Sequence, residues 1–214
     1  ALGCYLGEAV DSEIPVFTNV PSPPSIPQLK DFGAAISTSG STPMYHIVGI
    51  TPEAHTQEEA LQKDKPKDKL TVGPQELKKT FENLFTTSEG NVELVAMGCP
   101  HYTVSEIRHV AALIRGKKVN NKVKFWVFTS RWNKILARRM GLVEIIDAAG
   151  GYVAADACLK GAIGKLGFNL VATNSAKAAY DASNMSLESK VEVLFGNTTD
   201  CVNAAINGKW GSST

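Results

Sequence analysis

From Val92 onward the chain alternates short apolar runs with amphipathic stretches, and this alternation constrains the fold more than any other feature. Val92–Met97, Val123–Thr129, Tyr152–Ala155, Leu170–Thr173 and Val191–Phe195 read as strands. After the first of them, Thr103 with Glu106 makes a capping box, and Ile107, Val110, Ala111 and Ile114 fall on one helical face. Further helices are expected from Trp132 to Ala149, ending at Gly150-Gly151, and over Leu159–Leu166, Ser175–Ala182 and Thr199–Ile206. Each crossover helix returns the chain to the same edge, so the strands pair in parallel. The expected class is α/β: a doubly wound parallel sheet of repeated βα units, preceded by a smaller α/β subdomain.

The preceding part is less regular. A glycine-rich opening leads to a short strand at Ile14–Phe17, then Pro21, Pro23, Pro24 and Pro27 interrupt regular structure. Leu29, Phe32, Ala35 and Ile36 follow a helical period, Pro43–Ile50 reads as a second strand, and residues 55–69 as a solvated, lysine-rich connection. Pro74 opens a helix carrying Leu77, Phe81, Leu84 and Phe85, which fades at Gly90. The expected organisation is an amino-terminal α/β subdomain over 1–90, part of a larger domain begun upstream, a doubly wound domain over 91–210, and a tag remnant at 211–214.

Parallel strands put their carboxyl ends on one side of the sheet, where open α/β sheets place their ligand crevice. The first strand reads as stopping at Gly98 and turning Cys99, Pro100 and His101 into that rim. Ser130 and Arg131 follow the second strand, Asp156 and Cys158 the third, and Asn174, Ser175 and Lys177 the fourth. Ser130 and Ser175 read equally well as helix caps. Arg131 and Lys177 oppose the dipole of the helices they open and so ask for an anion. In the earlier subdomain, His46 reads either as a satisfied core histidine or as a polar group at a strand end.

A formal net charge of +1 gives no basic excess for nucleic acid, no apolar run is long enough to span a bilayer, and residues 1–20 do not read as the charged and apolar regions of a signal peptide. Four cysteines without CxxC spacing fit a reducing, cytoplasmic setting, with free thiols as packing residues, nucleophiles or metal ligands. Cys99 with His101 is a poor thiolate–imidazole pair across a proline. Cys99 and Cys158, on separate strand ends, are candidates to share a soft metal or an iron–sulfur cluster. No GxGxxG, P-loop, HExxH or GxSxG occurs.

The ordered motifs YHIVGITPEA (Tyr45–Ala54), VAMGCPH (Val95–His101), FTSR (Phe128–Arg131), GGYVAADAC (Gly150–Cys158) and VATNSAKAAY (Val171–Tyr180) resemble the large catalytic chain of the aconitase X family, in its carboxy-terminal portion. The resemblance implies an iron-dependent hydro-lyase that removes water from a small hydroxy acid. Known members include a cis-3-hydroxy-L-proline dehydratase, the type favoured here, and a phosphomevalonate dehydratase. It further implies an iron–sulfur cluster or mononuclear iron with Cys99 and Cys158 as two ligands and a third outside this chain. Arg131, Asn174, Ser175, Lys177 and His46 are then expected to bind substrate, and His101 and Ser130 to act in catalysis. A small swivelling domain or small subunit is the expected partner, so the chain alone is expected to be inactive. Ala176 replaces the glycine of the family's TNSGK pattern and narrows a close backbone approach. The competing reading is a non-catalytic α/β scaffold that binds a partner chain.

Overall fold

In a computed structural model of the chain, residues 1–62, 64–159, 166–184 and 191–211 are described. They fold as two units, Ala1–Glu82 and Asn83–Thr214. The second unit thus begins ahead of the Gly90 break. Most of the helix expected over Leu159–Leu166, and the expected tag remnant after Gly211, lie outside the described residues. Among the described residues no helix is long and apolar enough to cross a membrane.

In the first unit the glycine-rich opening is a helix, α1 (Leu2–Val10). Its glycines are spent on a close approach to α2 (Ile26–Gly40): a Cβ on Gly40 would stand 1.8 Å from the Gly7 carbonyl oxygen. Ser25 caps α2 through a full capping box with Gln28, just after the proline cluster. β1 (Val16–Phe17) and β2 (His46–Ile47) pair in parallel, shorter than the strands expected there. Phe17, Phe32 and Tyr45 meet edge-on over them. Two further helices, α3 (Gln57–Ala60) and α4 (Pro74–Asn83), follow.

The second unit carries the repeated βα pattern. β4 (Leu94–Tyr102), β5 (Lys124–Thr129), β6 (Tyr152–Ala155), β7 (Leu170–Thr173) and β8 (Glu192–Phe195) form one parallel sheet in the order β6-β5-β4-β7-β8. A two-residue antiparallel clasp joins β3 (Gly90–Asn91) to β9 (Lys209–Trp210). Because the order reverses between β4 and β7, their carboxyl ends form the topological switch point, where an open α/β sheet places its ligand site. One face of the sheet packs its larger core, with Phe125, Val95, Met97 and Leu194, on Ile107, Ile114 and Ile146 of α5 (Val104–Ile114) and α7 (Leu142–Ala149).

Two elements differ from the sequence expectation. The single helix expected over Trp132–Ala149 is two, α6 (Arg131–Arg139) and α7, because Gly141 sits in the left-handed region (φ 71) and ends the first axis. The first strand runs past Gly98 to Tyr102 instead of turning there, with its register to β5 shifting between Met97 and Tyr102. Gly98 makes this possible: at φ 96, with space for a Cβ only 2.2 Å from the Phe128 carbonyl oxygen, no other residue fits the bulge. The Cys99–Pro100 bond is cis. Two helices complete the unit, α8 (Ala176–Asn184) and α9 (Thr198–Asn207).

Candidate active site

The end of β4 delivers Cys99, half-buried, and His101, exposed, to the switch-point rim, while Tyr102 turns inward at 5% exposure. Main-chain and side-chain bonds fix this strand end from both neighbours. Toward β5, the Tyr102 carbonyl accepts from Thr129 Oγ1 at 2.5 Å and Asn133 Nδ2 at 3.0 Å. Toward β7, Asn174 Nδ2 donates to the Tyr102 hydroxyl at 2.5 Å and to Thr198 Oγ1, in the first turn of α9, at 3.0 Å. Burial pushes the Tyr102 phenol far above the ordinary tyrosine range.

Ser175, expected to bind substrate, does two structural jobs. Its Oγ accepts from Ala178 N at 3.0 Å at the head of α8 and donates to the Cys99 carbonyl oxygen. Cys99 itself has its thiol pushed up, chiefly by burial; the nearby Ser175 and Lys177 work against that shift, while Cys158 adds to it. Lys177, in the first turn of α8, stands 3.9 Å from Asp181.

The β6 side differs. Ser130 Oγ accepts from Asn133 N at 3.2 Å and so caps α6. Arg131, expected to hold a substrate carboxylate, already has one: its backbone N donates to Asp156 Oδ1 at 2.9 Å, and its Nε pairs with Asp156 Oδ2. These Arg131 bonds, the backbone one first, hold the Asp156 carboxyl below its usual range. His101 Nε2 donates to the Ala157 carbonyl at 3.0 Å, which ties the end of β4 to the residue before Cys158. Cys158 is exposed.

The rim therefore brings together Cys99, His101, Cys158, Ser175 and Lys177, with Arg131, Asn174 and Ser130 bound into its frame. His46 lies in the first unit, buried, with Nδ1 2.7 Å from Glu53 Oε1. The Glu53 carboxyl is held low by its own backbone N–H and then by His46 and Thr51. Sequence reasoning missed Tyr102 and left Asp156 without a role. Tyr102 reads as one more core aromatic unless the capping Thr103 is used to mark it as the strand's last residue. Asp156 is legible only once its φ of 52 is known to aim it back at α6.

As a metal centre the donor set is incomplete: among the described residues no group of three or more His, Cys, Asp or Glu side chains converges. Cys99 and Cys158, at the ends of β4 and β6, would be the soft donors of such a site.

The family model for the aconitase X third domain matches residues 92–207, and that for the second domain residues 1–82. The phosphomevalonate dehydratase large subunit of Methanocaldococcus jannaschii is 38% identical over 92% of this chain and 47% of its own length. The cis-3-hydroxy-L-proline dehydratase of Hypocrea jecorina is 33% identical over 97% of this chain and 35% of its own. The chain thus spans half or less of these relatives. The crystal structure of Thermococcus kodakaraensis aconitase X in its holo form superimposes with a TM-score of 0.78 at 28% identity, covering 95% of this chain and 50% of that one.

Proposed function

Because the chain belongs to the aconitase X family, we propose that it is part of an iron-dependent hydro-lyase that removes water from a small hydroxy acid. The observation that supports this reading is that Cys99, at the end of β4, and Cys158, just after β6, lie at the same carboxyl-terminal edge of the parallel sheet, their segments joined by the His101–Ala157 bond. They would hold iron, as a cluster or a single ion, with a third ligand supplied from outside the described residues. Iron bound there would supply a Lewis acid for the leaving hydroxyl.

The chain's own residues would shape and charge the pocket. Lys177, at the head of α8, and the N-terminal N–H groups of that helix favour a substrate carboxylate. His101 donates to a carbonyl and Ser130 accepts at the head of α6, so neither is assigned the proton from carbon. That step is left to a partner, the small subunit or swivelling domain of the same enzyme. Cis-3-hydroxy-L-proline is the substrate that the rim's charge fits, because Arg131 and Lys177 each have an acidic neighbour and leave little positive charge for a phosphate. Phosphomevalonate is the second reading, favoured by the 38% identity to the Methanocaldococcus jannaschii large subunit.

The test is the full-length chain with its partner, reconstituted with iron and sulfide and assayed for dehydration of both compounds. Turnover of one, abolished in Cys99→Ser and Cys158→Ser, is expected. Turnover that survives both substitutions would sink the iron reading.

A further inference from the structure

We infer that His101 is a positioning residue: it straps the Cys158 segment across the end of β5, so that both thiols reach one ligand position. The inference rests on the iron-dependent reading. Cys99 belongs to β4 and Cys158 follows β6, and β5 lies between them in the sheet. Neighbouring strands are about 4.8 Å apart, so the two chain ends start roughly 10 Å from each other. Two thiolates on one metal ion, each at about 2.3 Å, stand within about 4 Å. The end of β6 therefore has to lean over β5.

The backbone after β6 makes that lean. Asp156 N continues the ladder onto the Thr129 carbonyl at 2.9 Å, and Asp156 then takes a left-handed φ of 52. Its carboxylate is anchored on the first residue of α6 through Arg131. The next carbonyl, Ala157, is turned toward β4 and accepts from His101 Nε2 at 3.0 Å. A carbonyl only accepts, so in this bond the ring carries its proton on Nε2. His101 is two residues after Cys99, and Ala157 is one before Cys158. One side-chain bond thus spans the intervening strand and sets the separation of the two sulfur-bearing segments. The Ser175 bond to the Cys99 carbonyl fixes the other end of the same span.

The full-length chain with its partner, stripped of metal, is titrated with Co(II), whose thiolate charge-transfer absorption reports sulfur ligation. His101→Ala is expected to weaken cobalt binding about tenfold or more, the usual effect of removing an outer-shell hydrogen bond. His101→Gln keeps an N–H donor without a titrating ring, and is expected to restore binding and, after iron reconstitution, the pH profile of turnover. Cobalt binding by His101→Ala equal to wild type overturns the inference. So does a His101→Gln enzyme that binds cobalt normally yet has lost turnover, because that would make the ring a proton carrier.

A metal-free readout separates this from the iron reading and replaces His101→Ala should that variant not fold. Phenylarsine oxide, which captures pairs of close thiols, is expected to bridge Cys99 and Cys158 in wild type and in His101→Gln, and about tenfold more weakly in His101→Phe. Unchanged capture in His101→Phe overturns the strap. Strong capture by wild type, weakened in His101→Phe, with no cobalt–thiolate absorption supports the strap and overturns the iron reading.

Discussion

On the β7 side of the rim, Tyr102, Asn174, Thr198 and Ser175 join β4, β7, α8 and α9 through uncharged bonds around a buried phenol. On the β6 side, Arg131, Asp156 and His101 do the equivalent work at the surface, through an ion pair and a ring-to-carbonyl bond. The difference matters because buried neutral bonds respond to shape, whereas exposed charges respond to salt and pH. Cys99 is therefore held by packing, and Cys158 by contacts that the solvent can tune. A rim whose two thiols are anchored so differently has one fixed jaw and one adjustable jaw.

The fixed jaw breaks first by volume. Tyr102→Ala removes a buried aromatic ring and the hydroxyl that accepts from Asn174, and is expected to destabilise the second unit by about 3–5 kcal/mol. All three tryptophans, Trp126, Trp132 and Trp210, lie in that unit, so their fluorescence during urea unfolding reads it without the first unit. Tyr102→Phe keeps the ring and strands one Asn174 proton, and about 1–2 kcal/mol is expected in the same measurement. If Tyr102→Phe costs as much as Tyr102→Ala, the hydroxyl and not the packing sets this side, and the comparison has to be redrawn.

The thiols sharpen the same contrast without any loss of fold. Burial raises the Cys99 thiol and shields it, while Cys158 stands exposed. Iodoacetamide at pH 7, followed by peptide mass spectrometry, is expected to label Cys158 faster than Cys99, since burial both raises the Cys99 thiol and shields it from the reagent. Equal rates would mean that the β4 end opens as freely as the β6 loop. Cys4 and Cys201 are buried and raised, and serve as slow internal references.

Much of this architecture is legible in the residues. Strand-like runs of four to seven residues, the Thr103–Glu106 box and the strand-end polar residues predict the parallel sheet and its rim. What escapes is decided by single backbone angles and by tertiary partners. Gly98 looks like a terminator, and instead lets β4 bulge and continue, because the Phe128 carbonyl occupies the space of its missing side chain. Gly141 falls inside an unbroken apolar period, so the break between α6 and α7 carries no periodic signal. Arg131 advertises an anion site, and nothing local reveals that Asp156, twenty-five residues on, fills it. The reversal of strand order between β4 and β7, which sets the switch point, likewise depends on contacts far apart in sequence.

The smallest effect expected tests the adjustable jaw. Asp156 has its carboxyl lowered by Arg131 below the ordinary value of 3.8, so the folded state binds this proton less readily than the unfolded chain does. The stabilisation is present above that ordinary value and is lost as pH falls through the lower folded value. Wild type should therefore lose stability relative to Asp156→Asn as the pH drops below about 4. The residue is exposed, so the gap between the two unfolding curves should be slight and should shrink further in high salt. Tryptophan-detected unfolding of both proteins between pH 2 and pH 6, at low and high ionic strength, measures it. A gap that persists unchanged in high salt would show that the short-range hydrogen bonds from Arg131 to the carboxylate, and not its screened charge, hold Asp156 in place.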